Sequence, residues 1–235
     1  MSSKTIGLVI CAYKGHIPHL KRLFASIEAQ TRKPDMVIVS CSSTEPHEMP
    51  YLHESYSFPL SIYTHSEKKN CAQNRNYAAS MMTTDIVSFM DADDIMHPQR
   101  MEIILDSFIK YDICIFMHNT YDYEKTPFAA QQPVSFSPIS TYHFTINRLY
   151  RSRTGSTEMN HEIQGASGFV TCGHVSVLRS VLHDISFRET VDYHGRDDTI
   201  FASDVITTYP NRNIYCYEKL SAYYPSHTYG HEDRV

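Results

Sequence analysis

The sequence has no apolar run long enough to cross a membrane as a helix. Its longest early run, Ile6 to Tyr13, is interrupted by Gly7, and a spanning helix needs ~20 apolar residues. The run does not read as a leader either, because no strong basic region precedes it and no small-residue cleavage site follows. The sequence has no Asn-x-Ser/Thr sequon and no CxxC pair. Its cysteines, Cys11, Cys41, Cys71, Cys114, Cys172 and Cys216, stand far apart. That spacing argues against a disulfide framework or a zinc ribbon and suits free thiols in a reducing compartment. A cytoplasmic protein without a transmembrane segment is the expectation. HExxH, GxSxG, GxxxxGK(S/T) and GxGxxG are absent, which leaves zinc-protease, serine-hydrolase, P-loop and dinucleotide readings without support. Basic charge is also short: 21 Lys and Arg against 26 Asp and Glu give a net charge of −5. A dedicated nucleic-acid binder would show a basic stripe instead, so no nucleic-acid partner is expected.

What is present is an ordinary globular composition. The 235 residues are 42% apolar and 20% charged, enough for one sizeable core. The first half alternates strand and helix signals. Ile6–Ala12 is a continuous apolar run, as in a parallel strand buried on both faces. Leu20, Leu23, Phe24 and Ile27 form one stripe of a helix over 19–30. Strands are expected at 36–39, 59–64, 85–90 and 113–117, and helices at 74–82 and from Pro98 onward. Alternation of this kind predicts βαβ units and a mainly parallel sheet flanked by helices. Residues 119 to 165 are more polar, with Pro127, Pro133 and Pro138 among Tyr, Ser, Thr and Gln. Helices are again expected around 175–182 and 197–207. The whole chain, 1–235, reads as one domain with a second lobe from about residue 119.

Several local patterns could carry chemistry. Asp91-Ala92-Asp93-Asp94 follows an apolar strand, and open α/β sheets bind ligands beyond the carboxyl ends of their strands. On extended chain, positions i and i+2 point the same way, so Asp91 and Asp93 would converge. Such a pair suits Mg2+ or Mn2+ with substrate phosphates, although a solvated helix-capping turn gives the same pattern. Lys68-Lys69-Asn70 and Asn74-Arg75-Asn76 place charge and amides at a helix start, which suits a diphosphate or simply a basic turn. Asp197-Asp198 opens a helix, as an ionised base for a substrate hydroxyl or as ordinary capping. His227 and His231 in the tail could complete a metal site.

In order and spacing these pieces resemble the family 2 glycosyltransferases of GT-A fold, a Rossmann-like α/β architecture. The segments that carry the likeness are Val9-Ile-Cys-Ala-Tyr13, then Leu20, Leu23, Ser26-Ile27 and Gln30, then Asn74-Arg75-Asn76. They are followed by the DxD-like Asp91-Ala92-Asp93, by Gly165-Ala-Ser-Gly168, and by Gly195-Arg-Asp-Asp198. The resemblance implies a nucleotide-sugar-binding half, 1–118, and an acceptor-binding half, 119–235. It implies that Ala12 and Tyr13 line the base, that Arg75 faces the diphosphate, and that Asp91 lies near ribose and metal. Ala92 would line the donor site between the two acids. Asp93, with Asp91 and His227, would hold Mn2+ or Mg2+, and Asp198, with Asp197 as alternative, would deprotonate the acceptor hydroxyl. The expected donor is a nucleotide-diphosphate-sugar, a UDP-sugar first, and the acceptor a glycan or another hydroxyl compound, with inversion at the anomeric carbon. One stretch departs from the pattern: Ser40-Cys41-Ser42-Ser43 stands where the family has two acidic residues. A neutral Ser40 cannot form the same charge-assisted bond to a base, so the base is open. The departure also motivates a rival reading, a catalytically silent nucleotide- or carbohydrate-binding protein. A metal-dependent phosphohydrolase built on the Asp cluster is a third.

Overall fold

The computed structural model describes residues 4–122, 150–151, 157–159, 174–189 and 197–223. The N-terminal part runs β1 (Ile6–Tyr13), α1 (Ile17–Glu28), β2 (Met36–Ser42), β3 (Leu60–Thr64), α2 (Cys71–Ser80) and β4 (Ile86–Asp91). It continues with β5 (Ile95–Met96), α3 (Arg100–Lys110) and β6 (Ile115–Asp122). A small pair, β7 (Tyr150–Arg151) and β8 (Thr157–Met159), precedes β9 (Ser176–Leu178), α4 (Asp197–Thr208) and β10 (Asn213–Tyr223). Among these residues no helix is long and apolar enough to cross a membrane.

Eight strands form the main sheet in the order β3-β2-β1-β4-β9-β6-β10-β5. β1 pairs in parallel with both β2 and β4, β2 with β3, and β6 with β10. β9 runs antiparallel to both its neighbours, and β5 runs antiparallel to β10. The expected mainly parallel sheet is therefore present, with two antiparallel insertions. From β1 the chain moves outward through β2 to β3, then crosses back to place β4 on the other side of β1. The carboxyl ends of β1 and β4 thus flank a topological switch point, where such sheets open a crevice for ligands.

Burial on both faces explains the apolar runs. Leu8 and Ile10 of β1 join a core with Leu20, Leu23, Phe24 and Ile27 of α1 and Met101, Ile104 and Phe108 of α3. Val9, pointing the opposite way, joins Val87 and Phe89 of β4 and Phe201 and Val205 of α4. Each such large side chain, fully buried, stabilises the fold by ~1.5–3 kcal/mol. The bare backbone of Gly7 lets two side chains pack close: a Cβ there would lie 2.6 Å from Thr84 Oγ1 and 2.7 Å from Met82 Sδ.

One expected element differs. The helix expected around 175–182 is the strand β9 followed by a 3-10 turn at Arg179–His183. Val175 and Val177 are β-branched and wholly buried, and β9 is wedged between β4 and β6, where Ser176 Oγ donates to Ser88 Oγ at 2.9 Å. A short apolar run cannot be assigned by periodicity alone, and here sheet pairing decides it. β10, which lies between β6 and β5, was not anticipated.

Candidate active site

α2 organises the crevice. Its start is a capping box: Asn70 Oδ1 accepts the Gln73 N–H, and Gln73 Oε1 accepts the Asn70 N–H, both at 2.9 Å. Its buried face is mostly small or polar, carrying Ala72, Asn74, Arg75, Ala78 and Ala79. Asn74, Arg75 and Asn76 reach in three directions. Asn74 Nδ2 donates to the Ala12 carbonyl at 3.2 Å and to Ser42 Oγ at 3.1 Å, while its Oδ1 accepts from Ser40 Oγ at 2.8 Å. Asn76 exchanges hydrogen bonds with the Phe187 backbone at 2.8 and 2.9 Å. Arg75 goes between the carboxylates. One Nη binds Asp91 Oδ1 at 2.8 Å, the other binds Asp197 Oδ2, and the guanidinium lies 5.4 Å from the Phe187 ring centroid.

The structure thus brings Asp91, Arg75, Asp197 and Asp198 together across 122 residues of chain. Ala12 and Ser40 sit buried at the ends of β1 and β2, and Tyr13 is partly exposed at the rim with its ring 4.1 Å from that of His16. Ser40 also meets His65 Nε2 at 3.1 Å. Its hydroxyl is therefore held between Asn74 and His65.

At the end of β4 the strand alternation stops. Asp91 is its last residue, and Ala92 and Asp93 form a turn closed by the Asp94 N–H on the Asp91 carbonyl at 3.4 Å. Arg22 Nη2 anchors that turn through the Asp93 carbonyl at 2.8 Å. Among the described residues, Asp91, Asp94 and His174 form a group whose ligand atoms all lie within 4.8 Å of one another. The turn folds Asp94, residue i+3, back towards Asp91. His174 was missed by sequence reasoning. It stands just before β9, and only the antiparallel insertion of that strand carries it under the turn. His227 and Gly165–Gly168 lie outside the described residues.

The charges differ sharply in environment. Burial would raise the pKa of Asp91, but the Arg75 charge, then His174, then the Arg75 hydrogen bond outweigh it, and the net direction is down. Asp198 is raised, first by burial and then by the neighbouring Asp197 and Asp91 charges. Its Oδ1 accepts the Thr199 N–H at the start of α4. His174 is pushed down to about 4, chiefly by burial, and is neutral at ordinary pH. A divalent cation fits this donor set. Two carboxylates and a neutral imidazole converge, and His174 Nε2 is a buried polar atom with no hydrogen-bond partner.

The family profile described as "Glycosyl transferase family 2" matches residues 8–186. The chain belongs to glycosyl transferase family 2. An uncharacterized glycosyltransferase of Haemophilus influenzae (strain ATCC 51907 / DSM 11121 / KW20 / Rd) is 28% identical over 104 residues, 43% of this chain and 33% of the relative. The chain therefore spans about a third of that relative's length. Among solved structures, S. aureus TarS 1–349 is similar with a TM-score of 0.62 at 13% identity, covering 94% of this chain and 60% of that one. A mannosyltransferase from Pyrobaculum calidifontis, in complex with GDP-Man and Mn2+, is similar with a TM-score of 0.59 at 16% identity, covering 94% and 57%. At these identities the likeness shows the GT-A fold in this family 2 chain.

Proposed function

We propose that this family 2 domain transfers a sugar from a nucleotide-diphosphate-sugar to a hydroxyl acceptor, with inversion. The observation that carries the proposal is the pair of carboxylate sites bridged by Arg75 at the switch-point crevice. Asp91 is held ionised where a donor would lie, and Asp198 is held with a raised pKa nearby. Donor binding is assigned to Ala12, Tyr13, Ser40, Arg75, Asp91, Ala92 and Asp93 around the ends of β1, β2 and β4. Arg75 acts in this scheme from beneath, by orienting Asp91 and Asp197. Asp197 is committed to Arg75, which leaves Asp198 as the better acceptor for the proton of the attacking hydroxyl. A carboxylate with a raised pKa is a stronger base once ionised. A divalent cation at the Asp91 end of the site would offset charge on the departing diphosphate. The base stays open: solved relatives are described with UDP, UDP-GlcNAc and GDP-Man, and Ser40 offers the base a neutral hydroxyl.

The test is thermal unfolding of the purified chain against UDP, GDP and other nucleoside diphosphates, with and without Mn2+. A ligand that binds only the folded state stabilises it by ~2.7 kcal/mol at one hundred times its dissociation constant. A cation-dependent shift with one nucleotide, followed by sugar transfer from the matching donor, supports the proposal. No shift with any nucleotide overturns it. Sugar or phosphate released equally fast without acceptor points instead to hydrolysis.

A further inference from the structure

We propose that Cys11 and Cys71 form a redox-modification site, which a hydroperoxide oxidises to a reversible disulfide tying the end of β1 to the start of α2 beside Asp91. The bond stands on the two thiols alone; its effect on sugar transfer rests on the transferase reading.

Contacts on either side fix where the thiols lie. Cys11 is the register partner of Asp91 in the parallel pairing of β1 with β4, and its Sγ lies 3.7 Å from Asp91 Oδ1. The same oxygen takes Arg75 Nη2 at 2.8 Å. Cys71 stands four residues before Arg75, on the same face of α2 and one turn nearer its start. Asn74, three residues after Cys71, donates to the Ala12 carbonyl at 3.2 Å, so the first turn of α2 lies against the end of β1. Between these contacts the two thiols meet. The Cys11 S–H has two acceptors before it, the Cys71 sulfur and Asp91 Oδ1. Among the described residues Cys71 is the exposed thiol, while Cys11, Cys41, Cys114 and Cys216 are buried.

The two sulfurs differ in the way a reactive pair requires. Cys71 is the first residue of α2 after the Asn70 cap, and thiols at helix N-termini beside a cation ionise readily. The hydrogen bond from Cys11 holds the Cys71 thiol below its ordinary pKa, and the Arg75 charge acts in the same direction. Exposed Cys71 is therefore the attacking thiolate, and buried Cys11 the resolving thiol. With hydrogen peroxide, the Cys71 thiolate takes one oxygen as a sulfenic acid, and the O–O bond breaks to release hydroxide. The Cys11 sulfur then attacks the Cys71 sulfur. The S–S bond forms, the S–O bond breaks, and the oxygen leaves as water with the Cys11 proton. In sum, two thiols lose two electrons and two protons, and one peroxide becomes two waters. The crevice changes in two ways. Cys11 loses the proton it offers Asp91, and a covalent bond draws the sulfurs closer than a hydrogen-bonded contact. That pulls on the turn carrying Asn74 and Arg75, and misplacing a positioning group by about 1 Å costs about 10²-fold in rate.

The test treats the full, reduced, folded chain with hydrogen peroxide, digests it without reductant and maps linked peptides by mass spectrometry. A Cys11–Cys71 peptide pair that dithiothreitol separates is expected. Cys11→Ser has no resolving thiol, so its Cys71 should persist as a sulfenic acid that dimedone traps. Absence of the Cys11–Cys71 link in wild type overturns the proposal, as does Cys71 linked to another cysteine in its place, or dimedone on Cys11→Ser at a residue other than Cys71. The wild-type map decides the point even where Cys11→Ser does not fold. Transfer by wild type should fall by about 10²-fold as the link forms and return with dithiothreitol. Cys71→Ser should keep its rate through the same treatment. An equal loss in Cys71→Ser, or an undiminished rate in linked wild type, overturns the effect on the crevice. The transferase reading fails separately. A chain that forms the link but transfers no sugar in either state refutes that reading alone. A chain that transfers sugar and forms no link refutes this one alone.

Discussion

The two acidic clusters of the crevice share one arginine and differ in almost everything else. The first, at the end of β4, hangs from a parallel strand, and Arg75 draws the Asp91 pKa down. The second opens α4. There Asp197 takes the other arm of Arg75, while burial and its acidic neighbours push Asp198 up. Burial alone would raise both carboxylates, so contact with the cation decides which stays low. Environments that separate two carboxylates in this way suit them to different tasks; in the proposed transfer Asp91 on the strand is the anchor and Asp198 on the helix the proton acceptor.

Removing the shared arginine should break the comparison outright. Arg75→Ala leaves the half-buried Asp91 and the buried Asp197 without their partner, and breaking a buried pair costs about 3–5 kcal/mol. Urea unfolding should report that loss, and a stability within 1 kcal/mol of wild type, on the same scale, would show that the bridge is incidental. Arg75→Lys keeps the charge but not the fork, and cannot hold two carboxylates in the same geometry. It should fold better than Arg75→Ala while transferring sugar poorly. Next in size is Asp198→Asn. Loss of a general base lowers transfer by about 10²–10⁴-fold without touching the donor side. Nucleotide-induced thermal shifts should therefore be unchanged. Transfer at the wild-type rate would disprove the assignment of the base, and Asp197→Asn would then be the next variant to assay.

The same contrast shows what sequence reasoning could reach. β1 to β4, α1 and α3 were legible because both faces of the sheet are covered, which makes each strand a solid apolar run and each covering helix a clean stripe. α2 was placed late, at 74 rather than Cys71, because its buried face carries Asn74 and Arg75 and blurs the stripe. The acidic motifs at Asp91 and Asp197 were legible as local strings. Their link through Arg75 was not, since it joins residues 122 apart. His174 left no signal at all. It is a lone histidine after a glycine, and its place depends on β9 entering the sheet antiparallel, a pairing that a run as short as Val175–Leu178 does not announce.

The smallest effect expected is also the sharpest test of the Asp198 environment, because it opposes function to stability. A folded-state pKa above the unfolded value means that the native state holds its proton more tightly. The associated stability is present below the ordinary carboxylate range and is lost as pH rises through the raised folded pKa. Above the ordinary carboxylate range the charge of Asp198 therefore weighs against the fold. Asn cannot ionise and removes that cost. Asp198→Asn should unfold at a higher urea concentration than wild type near neutrality, and the gap should close as pH falls below the usual carboxylate pKa. For the active enzyme, the acid limb of transfer rate against pH should lie above that of an unperturbed carboxylate, since only the ionised base accepts the proton. Urea midpoints measured across pH for both proteins decide the point. A variant less stable than wild type at neutral pH, or a gap that does not change with pH, would mean that Asp198 is not held in the buried, electrostatically opposed state that distinguishes it from Asp91.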